Sequence, residues 1–279
     1  MSRYLYDTNH TRLHLVKSVP GAKVINWLFL PGGPGVDSSS LADLVKQMRL
    51  PGNYWLVDFI FNGTNEKYPR TSDDVYQQWP QYLESVVDQF ENPILVGHSF
   101  GGYLPFFCPN LEQSLKGLII LNSIPTLKSD LFAKAAERHN LPSLAQEKDQ
   151  FIKEPNLVNM KALYLKEADY FFTQPNRAKG IETIVNKLEF CLHTEHWWYA
   201  GGYEFYLNIK WIPEQTPTLI IGGSDDFITP FGVFEQDQRF YRKNIQMTNI
   251  PNAGHFPWVE QPDLINQAME SFVESYNLM

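Results

Sequence analysis

One stretch of the sequence decides the fold: Pro93-Ile-Leu-Val-Gly-His-Ser-Phe-Gly-Gly102. Its first four residues are apolar or small and predict a short buried strand. A Gly-x-Ser-x-Gly turn, Gly97 to Gly101, follows directly, and the residues after it can begin a helix. Such a turn holds its central residue in a strained conformation between two glycines and exposes its hydroxyl at the carboxyl end of a sheet. We therefore predict that Ser99 is a nucleophile; the alternative is an ordinary glycine-rich turn.

The composition is typical of a globular protein with one sizeable core. The chain has 279 residues, of which 43% are hydrophobic and 19% charged, and its formal net charge is −8. No run of Lys or Arg is long enough to follow a phosphate backbone, so we expect no nucleic-acid partner. No apolar run approaches the length of a membrane span, and the N-terminus has no apolar signal segment. We expect a cytoplasmic protein without a membrane partner, in which Cys108 and Cys191 are buried thiols.

Short apolar runs alternate with helical patterns in the first and last thirds of the chain. The predicted strands are 22–30, 53–59, 93–96, 116–122, 218–221 and 245–250, and the predicted helices include 38–49, 75–90 and 263–276. Strands separated by helices indicate an α/β fold whose central sheet is mostly parallel and flanked by helices. The segment before residue 22 can add antiparallel edge strands. Pro105 is expected to shorten or bend the helix that follows Ser99.

Between residues 126 and 213 the alternation of strands and helices stops. This segment has helical patterns and a cluster of aromatic residues. Open α/β sheets bind ligands at the carboxyl ends of their strands. We therefore predict a core domain of residues 1–125 and 214–279, with residues 126–213 as a helical cap over those strand ends. The aromatic residues either line a substrate pocket or only hold the cap together.

A serine hydroxyl becomes an effective nucleophile when a base takes its proton and a carboxylate orients that base. His255 lies in a glycine-flanked loop just after the last predicted strand, where core packing explains a histidine poorly, and we predict that it is the base. Asp225 and Asp226 end an apolar strand and compete for the orienting role. Adjacent side chains point in different directions, so we expect only one of them to face His255.

The negative oxygen of a tetrahedral intermediate needs backbone N–H donors, each typically worth about 10²–10³ in rate. One predicted donor is the N–H of Phe100, immediately after the nucleophile. The second is the N–H of Gly33, in the loop Pro31-Gly-Gly-Pro-Gly35 that follows the first long strand. The alternative for this loop is a sharp turn without a catalytic role.

These residues together resemble the α/β-hydrolase superfamily over essentially the whole chain. In that superfamily the acid usually lies in Gly-x-x-Asp-x-x-x-Pro, which here is Gly223 to Pro230, so the resemblance favours Asp226 over Asp225. The family histidine lies in a Gly-His loop like Gly254-His255. The resemblance implies the α/β-hydrolase fold with a helical cap, and its mechanism needs no metal or organic cofactor.

Within the superfamily, Gly32-Gly-Pro-Gly35 is similar to the His-Gly-Gly-Pro-Gly of proline iminopeptidases, which remove N-terminal proline and bind its amine with cap glutamates. Glu195, Trp198 and Tyr199 loosely resemble the Glu-x-x-Tyr-Phe cap segment of that subfamily. The resemblance implies that these three residues bind substrate, because a carboxylate among aromatic rings suits a cationic prolyl group.

The chain departs from the subfamily pattern in three places. Pro31 replaces the histidine of the loop, and the turn from Asp58 to Asn65 lacks the arginine of the family's Asp-x-Arg-Gly-x-Gly-x-Ser. Ser224-Asp225 stands where the iminopeptidases usually have Arg-Tyr.

We therefore predict a serine hydrolase that acts through an acyl-enzyme on a small molecule or a short peptide. The first hypothesis is a carboxylesterase-like enzyme with an apolar pocket. The alternative is an aminopeptidase like the proline iminopeptidases, with Glu195 binding the substrate amine. A third hypothesis is a non-catalytic ligand-binding protein on the same fold, against which the complete set of Ser99, Asp226 and His255 argues.

Overall fold

An eight-stranded sheet lies at the centre of the protein. The computed structural model describes residues 4–68, 74–127 and 131–279. The strands are β1 (Tyr4–Tyr6), β2 (Arg12–Val19), β3 (Asn26–Leu30), β4 (Gly52–Asp58), β5 (Pro93–His98), β6 (Gly117–Leu121), β7 (Thr218–Gly223) and β8 (Ile245–Ile250). Their order across the sheet is β1-β2-β4-β3-β5-β6-β7-β8. Strand β2 is antiparallel to both its neighbours, and every other pair is parallel. The prediction of a mostly parallel sheet with an antiparallel edge is confirmed.

Helices follow most of the parallel strands. They are α1 (Ala42–Gln47), α2 (Asp74–Gln77), α3 (Trp79–Val87), α4 (Phe100–Tyr103), α5 (Leu111–Ser114), α6 (Leu131–His139), α7 (Ala145–Lys153), α8 (Leu157–Phe171), α9 (Arg177–Thr183), α10 (Leu192–Tyr199), α11 (Gly232–Glu235), α12 (Pro257–Glu260) and α13 (Pro262–Ser275). None of the described helices is long and apolar enough to cross a membrane.

Alternate residues of each parallel strand pack on opposite faces of the sheet. In β3, Trp27 and Phe29 belong to the hydrophobic cluster that includes residues of α1 and α13. Leu28 and Leu30 belong to the cluster on the other face, which includes the buried residues of α3. Both faces of the sheet are therefore covered there, which explains why the central strands β3, β5, β6 and β7 are mostly apolar and buried.

Two predicted elements differ from the observed ones for local reasons. Strand β3 begins at Asn26 rather than at residue 22, because its first partners in the ladder are Asn53 of β4 and Pro93 of β5. The predicted helix over 75–90 is divided into α2 and α3 at Gln78, because Pro80 lacks an N–H and is accommodated in the first turn of a helix.

The stretch between β6 and β7, here called the β6–β7 segment, contains α6 to α10 and, within its described part, no strand. Residues 128–130, close to the predicted start of the cap at residue 126, lie outside the described residues. An isolated antiparallel β-bridge pairs Phe190 of this segment with Val36, which follows β3. The Cys191 N–H also donates to the carbonyl of Gly35 at 2.8 Å, so the segment contacts the loop after β3 directly.

Candidate active site

Ser99 lies at the sharp turn between β5 and α4, with φ 53° and ψ −119°. Its N–H donates to the carbonyl of Leu121 at the end of β6, at 3.0 Å. A Cβ on Gly97 would collide with the carbonyl of Gly101, and a Cβ on Gly101 would lie 2.5 Å from the carbonyl of Leu30. The two glycines therefore allow β5, α4 and β3 to approach closely enough to hold Ser99 in its positive-φ conformation.

The helix after Ser99 is short. It ends at Tyr103, and a 3-10 helix over Leu104–Phe107 continues the chain. Pro105 lies in the first turn of that 3-10 helix, so the predicted shortening near this proline is observed.

His255 and Asp226 are brought together from the loops after β8 and β7. His255 Nδ1 lies 2.9 Å from Asp226 Oδ2, and both side chains are buried. An ionised carboxylate can only accept a hydrogen bond, so Nδ1 carries a proton, and in the neutral ring Nε2 is then the nitrogen with the lone pair. Asp225 is half-buried and accepts a hydrogen bond from the Ser224 hydroxyl at 2.6 Å instead. The structure therefore pairs His255 with Asp226, the aspartate that the resemblance favours.

Asp226 is held as an anion by its surroundings. Its Oδ1 accepts the N–H groups of Ile228 and Thr229, each at 2.9 Å, and its Oδ2 accepts the Thr229 hydroxyl at 2.6 Å. Burial by itself would raise the pKa of Asp226, but the His255 imidazole and these hydrogen bonds outweigh it and hold the pKa well below its usual range. The carboxylate is consequently fixed in both charge and direction.

Ser99 and His255 line one cavity of about 240 Å³. Within the described residues no hydrogen bond joins the Ser99 hydroxyl to the His255 ring. In enzymes without substrate such bonds are often long and tighten only in the complex. The arrangement therefore places Ser99 and the His255 imidazole beside the same cavity.

The loop after β3 lies against Ser99. A Cβ on Gly32 would stand 3.0 Å from Ser99 Cβ, and Gly33 lines the same cavity with φ 102°. Neither the Gly33 N–H nor the Phe100 N–H has a hydrogen-bond acceptor among the described residues. Both predicted donors are therefore available to a ligand beside Ser99.

The three residues predicted to bind substrate have different positions. Trp198 and Tyr199 line the cavity. Glu195 does not: it is 1% exposed, accepts the Tyr164 hydroxyl at 3.0 Å, and would contact a Cβ on Gly35 at 2.8 Å. Burial raises the pKa of Glu195 well above its usual range. The side chain of Glu195 thus lies behind the cavity wall and does not reach the space that a substrate would occupy.

Glu167, which the sequence analysis does not single out, is the carboxyl group in the wall of this cavity. It is 4% exposed, and its Oε1 accepts the Tyr199 hydroxyl at 3.2 Å. Burial raises the pKa of Glu167 to about 8. The sequence carries a signal for it, because Tyr164, Glu167 and Phe171 are spaced by three and four residues and so share one face of α8.

The aromatic residues of the β6–β7 segment divide into two groups. Phe171, Trp198, Tyr199 and Tyr203 line the cavity. Others, such as the fully buried Tyr206, pack against the core. Within the described part of the chain, no group of three or more His, Cys, Asp or Glu side chains is arranged to hold a metal ion.

Comparison with known proteins gives the same fold. An alpha/beta fold family hydrolase from Bacillus anthracis str. Sterne superposes with a TM-score of 0.72 at 14% identity, covering 98% of this chain and 99% of that chain. A thermophilic esterase from Thermogutta terrifontis has a TM-score of 0.64 at 19% identity, covering 99% of each chain. A proline iminopeptidase from Mycobacterium smegmatis has a TM-score of 0.65 at 18% identity, covering 100% of this chain and 99% of that chain. At these identities the likeness is one of fold alone.

No curated protein sequence matches the chain. A sequence model described as the alpha/beta hydrolase family matches residues 27–268. This range includes every strand from β4 to β8 and the residues Ser99, Asp226 and His255. On this match, the chain belongs to the alpha/beta hydrolase family.

Proposed function

We propose that this protein is a serine hydrolase that cleaves an ester or amide bond of a small molecule or a short peptide through an acyl-enzyme. The observation that carries the proposal is the pairing of His255 with Asp226 beside the cavity that Ser99 also lines, because in the neutral ring this pairing leaves Nε2 to accept the Ser99 proton. The free N–H groups of Gly33 and Phe100 beside the same serine support it.

In the proposed reaction, Ser99 Oγ attacks the substrate carbonyl carbon while His255 Nε2 takes the hydroxyl proton. The carbonyl oxygen becomes an oxyanion, which the N–H groups of Gly33 and Phe100 stabilise. The intermediate collapses, the bond to the leaving group breaks, and the leaving group takes the proton from His255. Water, deprotonated by His255, then attacks the acyl-enzyme and releases the acid, and Ser99 recovers its proton. Asp226 holds the required tautomer throughout and stabilises the imidazolium.

A carboxylesterase-like activity is the first form of this proposal. The cavity wall near Ser99 is largely apolar, with Ile124, Leu127, Leu188 and Trp198 among its residues. A cavity of this size and lining suits a small ester, which needs no charged partner beyond the reacting groups.

An aminopeptidase activity is the second form, and the position of Glu167 favours it. A buried carboxyl group becomes much more stable as an anion when a cation lies beside it, and Lys148 in the same wall already opposes part of the rise in the pKa of Glu167. The protonated amine of an N-terminal residue is such a cation. In this form Glu167 contacts the amine, while Glu195 stays behind the wall, where it accepts the hydroxyl of Tyr164.

We further propose that residues 126–213 act as a cap over the site, since Tyr164, Glu167, Trp198 and Tyr199 of the β6–β7 segment complete the cavity. We also propose a reducing, cytoplasmic location, because the buried thiols of Cys108 and Cys191 are free and form no disulfide with each other.

The test compares the wild type with Ser99→Ala. Both proteins are treated with a fluorophosphonate, then assayed on aryl esters of increasing acyl length and on prolyl and alanyl anilides. We expect labelling and ester hydrolysis in the wild type alone. A wild type that is not labelled contradicts the hydrolase and leaves the non-catalytic binding protein.

Glu167→Gln separates the two forms. It is expected to leave hydrolysis of uncharged esters nearly unchanged in both forms, and to raise KM for anilides only in the aminopeptidase form. Ester cleavage without anilide cleavage by the wild type removes the aminopeptidase. Glu195→Gln is the matched control for Glu167→Gln, because it makes the same change in a side chain that lies behind the cavity wall.

A further inference from the structure

The backbone around His255 is held at four points. The N–H and carbonyl groups of Gly254 and His255 each have a partner, and each partner belongs to a different part of the fold. The Gly254 N–H donates to Glu260 Oε2 at 2.6 Å, and the Gly254 carbonyl accepts from Asn122 Nδ2 at 2.9 Å. The His255 N–H donates to the Phe171 carbonyl at 2.6 Å, and the His255 carbonyl accepts from His98 Nε2 at 2.9 Å. We call these four contacts the His255 frame.

Asn122 connects the loops of both His255 and Asp226. It directly follows β6, is 1% exposed and has φ 46°. One proton of its amide is donated to the carbonyl of Gly254 and the other to Asp226 Oδ2 at 2.8 Å. A side-chain amide has two such donors and here uses each on a different loop. A single planar group therefore sets the position of the carboxylate relative to the backbone that carries the imidazole.

His98 connects the base to the strand of the nucleophile. A carbonyl oxygen accepts, so His98 Nε2 carries the proton that it donates to His255. Burial and the neighbouring His255 lower the pKa of His98 well below its usual range, which keeps the ring neutral. Because His98 directly precedes Ser99, this contact ties the backbone of the base to the residue beside the reacting hydroxyl.

Glu260 connects the base to the end of α8. Its Oε1 accepts the N–H of Thr173 at 2.9 Å and the hydroxyl of Thr173 at 2.6 Å, while its Oε2 accepts the Gly254 N–H. Thr173 lies two residues after the end of α8, and Phe171 of α8 accepts the His255 N–H. Glu260 is half-buried and lies in α12, so it does not reach the cavity itself.

We propose that Asn122 and Glu260 are positioning residues for His255: both hold the backbone of its loop, Asn122 also holds Asp226, and together they keep Nε2 directed at Ser99. The proposal rests on the proposed serine hydrolase. Asp226 fixes only Nδ1, so the place of the ring still depends on where the backbone holds its Cα. A displacement of about 1 Å at a reacting group can cost about 10²-fold in rate, and the frame opposes such a displacement.

Glu112 provides a matched control for loop stability alone. Its carboxylate accepts the N–H groups of Glu214, Gln215 and Thr216 at 2.8 to 2.9 Å, so it also holds a loop by its backbone. That loop precedes β7 and lies at the opposite end of the strand from Asp226. Loss of Glu112 therefore removes a similar set of contacts without touching the His255 frame.

The experiment measures kcat, KM and Tm for the wild type, Asn122→Ala, Glu260→Ala, Glu260→Gln and Glu112→Ala on the best aryl ester. We expect kcat to fall about 10- to 100-fold in Asn122→Ala and Glu260→Ala, with KM within about twofold of the wild type. Glu260→Gln should recover part of the rate: its Oε1 can accept the Gly254 N–H and its amide can donate to the Thr173 hydroxyl, but the Thr173 N–H then loses its acceptor. Glu112→Ala should lower Tm and leave kcat unchanged.

The inference is overturned when both alanine variants retain the wild-type kcat, or lose it only to the extent that Glu112→Ala does. Glu260 is half-buried, so its variants keep the test open if Asn122→Ala does not fold. The downfield proton resonance of the His255–Asp226 hydrogen bond gives a second readout that needs no turnover. We expect it to shift in Asn122→Ala and Glu260→Ala but not in Glu112→Ala, and an unchanged resonance contradicts the frame. A wild type that fluorophosphonate does not label contradicts the proposed hydrolase instead, while this resonance still tests the frame.

Discussion

The side-chain amide of Asn62 donates a hydrogen bond to the carbonyl of Val36 at 2.8 Å. Its oxygen accepts the N–H of Gly35 at 2.9 Å, so one planar group holds two successive residues of the loop that contains Gly33. The proline iminopeptidases that the sequence resembles have a histidine in this loop, where the present chain has Pro31. The loop is therefore held in shape by a side chain of another segment, the turn that follows β4.

We expect Asn62→Ala to lower kcat by about 10- to 100-fold, because displacement of the loop moves one of the two proposed oxyanion donors. The measurement is the rate of Ser99 labelling by a fluorophosphonate, together with kcat on an aryl ester. Asn266→Ala is the control, since the Asn266 amide donates to the carbonyl of Pro262 within α13 at 3.0 Å. Equal rates in the two variants would contradict the role of Asn62.

Asp226→Asn and Asp225→Asn form a matched pair. In Asp226→Asn the amide oxygen must occupy the Oδ1 position, where the N–H groups of Ile228 and Thr229 donate. The NH₂ group then faces His255 Nδ1 and forces the proton onto Nε2, which can no longer act as a base. We expect kcat to fall by about 10⁴-fold, as for loss of the correct tautomer in other triads. Asp225→Asn should stay within about twofold of the wild type, because Asp225 does not contact His255. Steady-state kinetics decide, and a larger loss in Asp225→Asn would reverse the assignment.

Two glycine substitutions should have opposite effects on stability. A Cβ on Gly97 would collide with the backbone of Gly101. Gly101 cannot move aside, because it packs closely against the carbonyl of Leu30 at the end of β3. We expect Gly97→Ala to lower Tm strongly or to prevent folding. At Gly232, in α11, a Cβ would meet only flexible side-chain atoms at 3.8 Å or more. Gly232→Ala should therefore raise the free energy of unfolding by about 0.5–1 kcal/mol, since alanine favours helix. Thermal and urea unfolding measure both changes, and a stable Gly97→Ala protein would contradict the close approach.

The buried carboxyl of Glu167 predicts a pH dependence of stability. Its pKa is about 8 in the folded protein, against 4.5 for an ordinary glutamate. Between these two values the folded state binds more protons than the unfolded state, so a rise in pH lowers the free energy of unfolding. The slope for one such group is at most about 1.4 kcal/mol per pH unit.

Glu167→Gln removes this contribution. The variant is expected to have a higher Tm than the wild type at about pH 9, and the advantage should shrink as the pH falls towards about pH 5. Tm measured across this range for both proteins tests the prediction. A difference in Tm that does not grow with pH would mean that Glu167 is already ionised in the fold.

Part of the site could be predicted because it depends on short stretches of chain. The turn at Ser99 needs glycines two residues away on each side, and that requirement is local. The polar turns that carry Asp226 and His255 likewise follow directly after apolar strands. The strand and helix order was predictable for the same reason, since each element spans few residues.

The position of Glu195 could not be predicted in this way. Trp197, Trp198 and Tyr199 follow one another on α10, so aromatic side chains project from several faces of this helix. Its sequence therefore does not indicate which face is turned to the cavity and which to the loop at Gly35. The same holds for Asn122 and Glu260, whose partners lie on loops that other strands bring together.

The sequence by itself determined the α/β fold, the turn that exposes Ser99 and the order of its candidate partners, because these features are set by periodicity and by local backbone requirements. Only the tertiary structure decided that Asp226 rather than Asp225 contacts His255, and that Glu167 rather than Glu195 lies in the cavity wall. The physical reason is that a pattern specifies which side chains share a face, whereas the packing of distant elements specifies what that face meets.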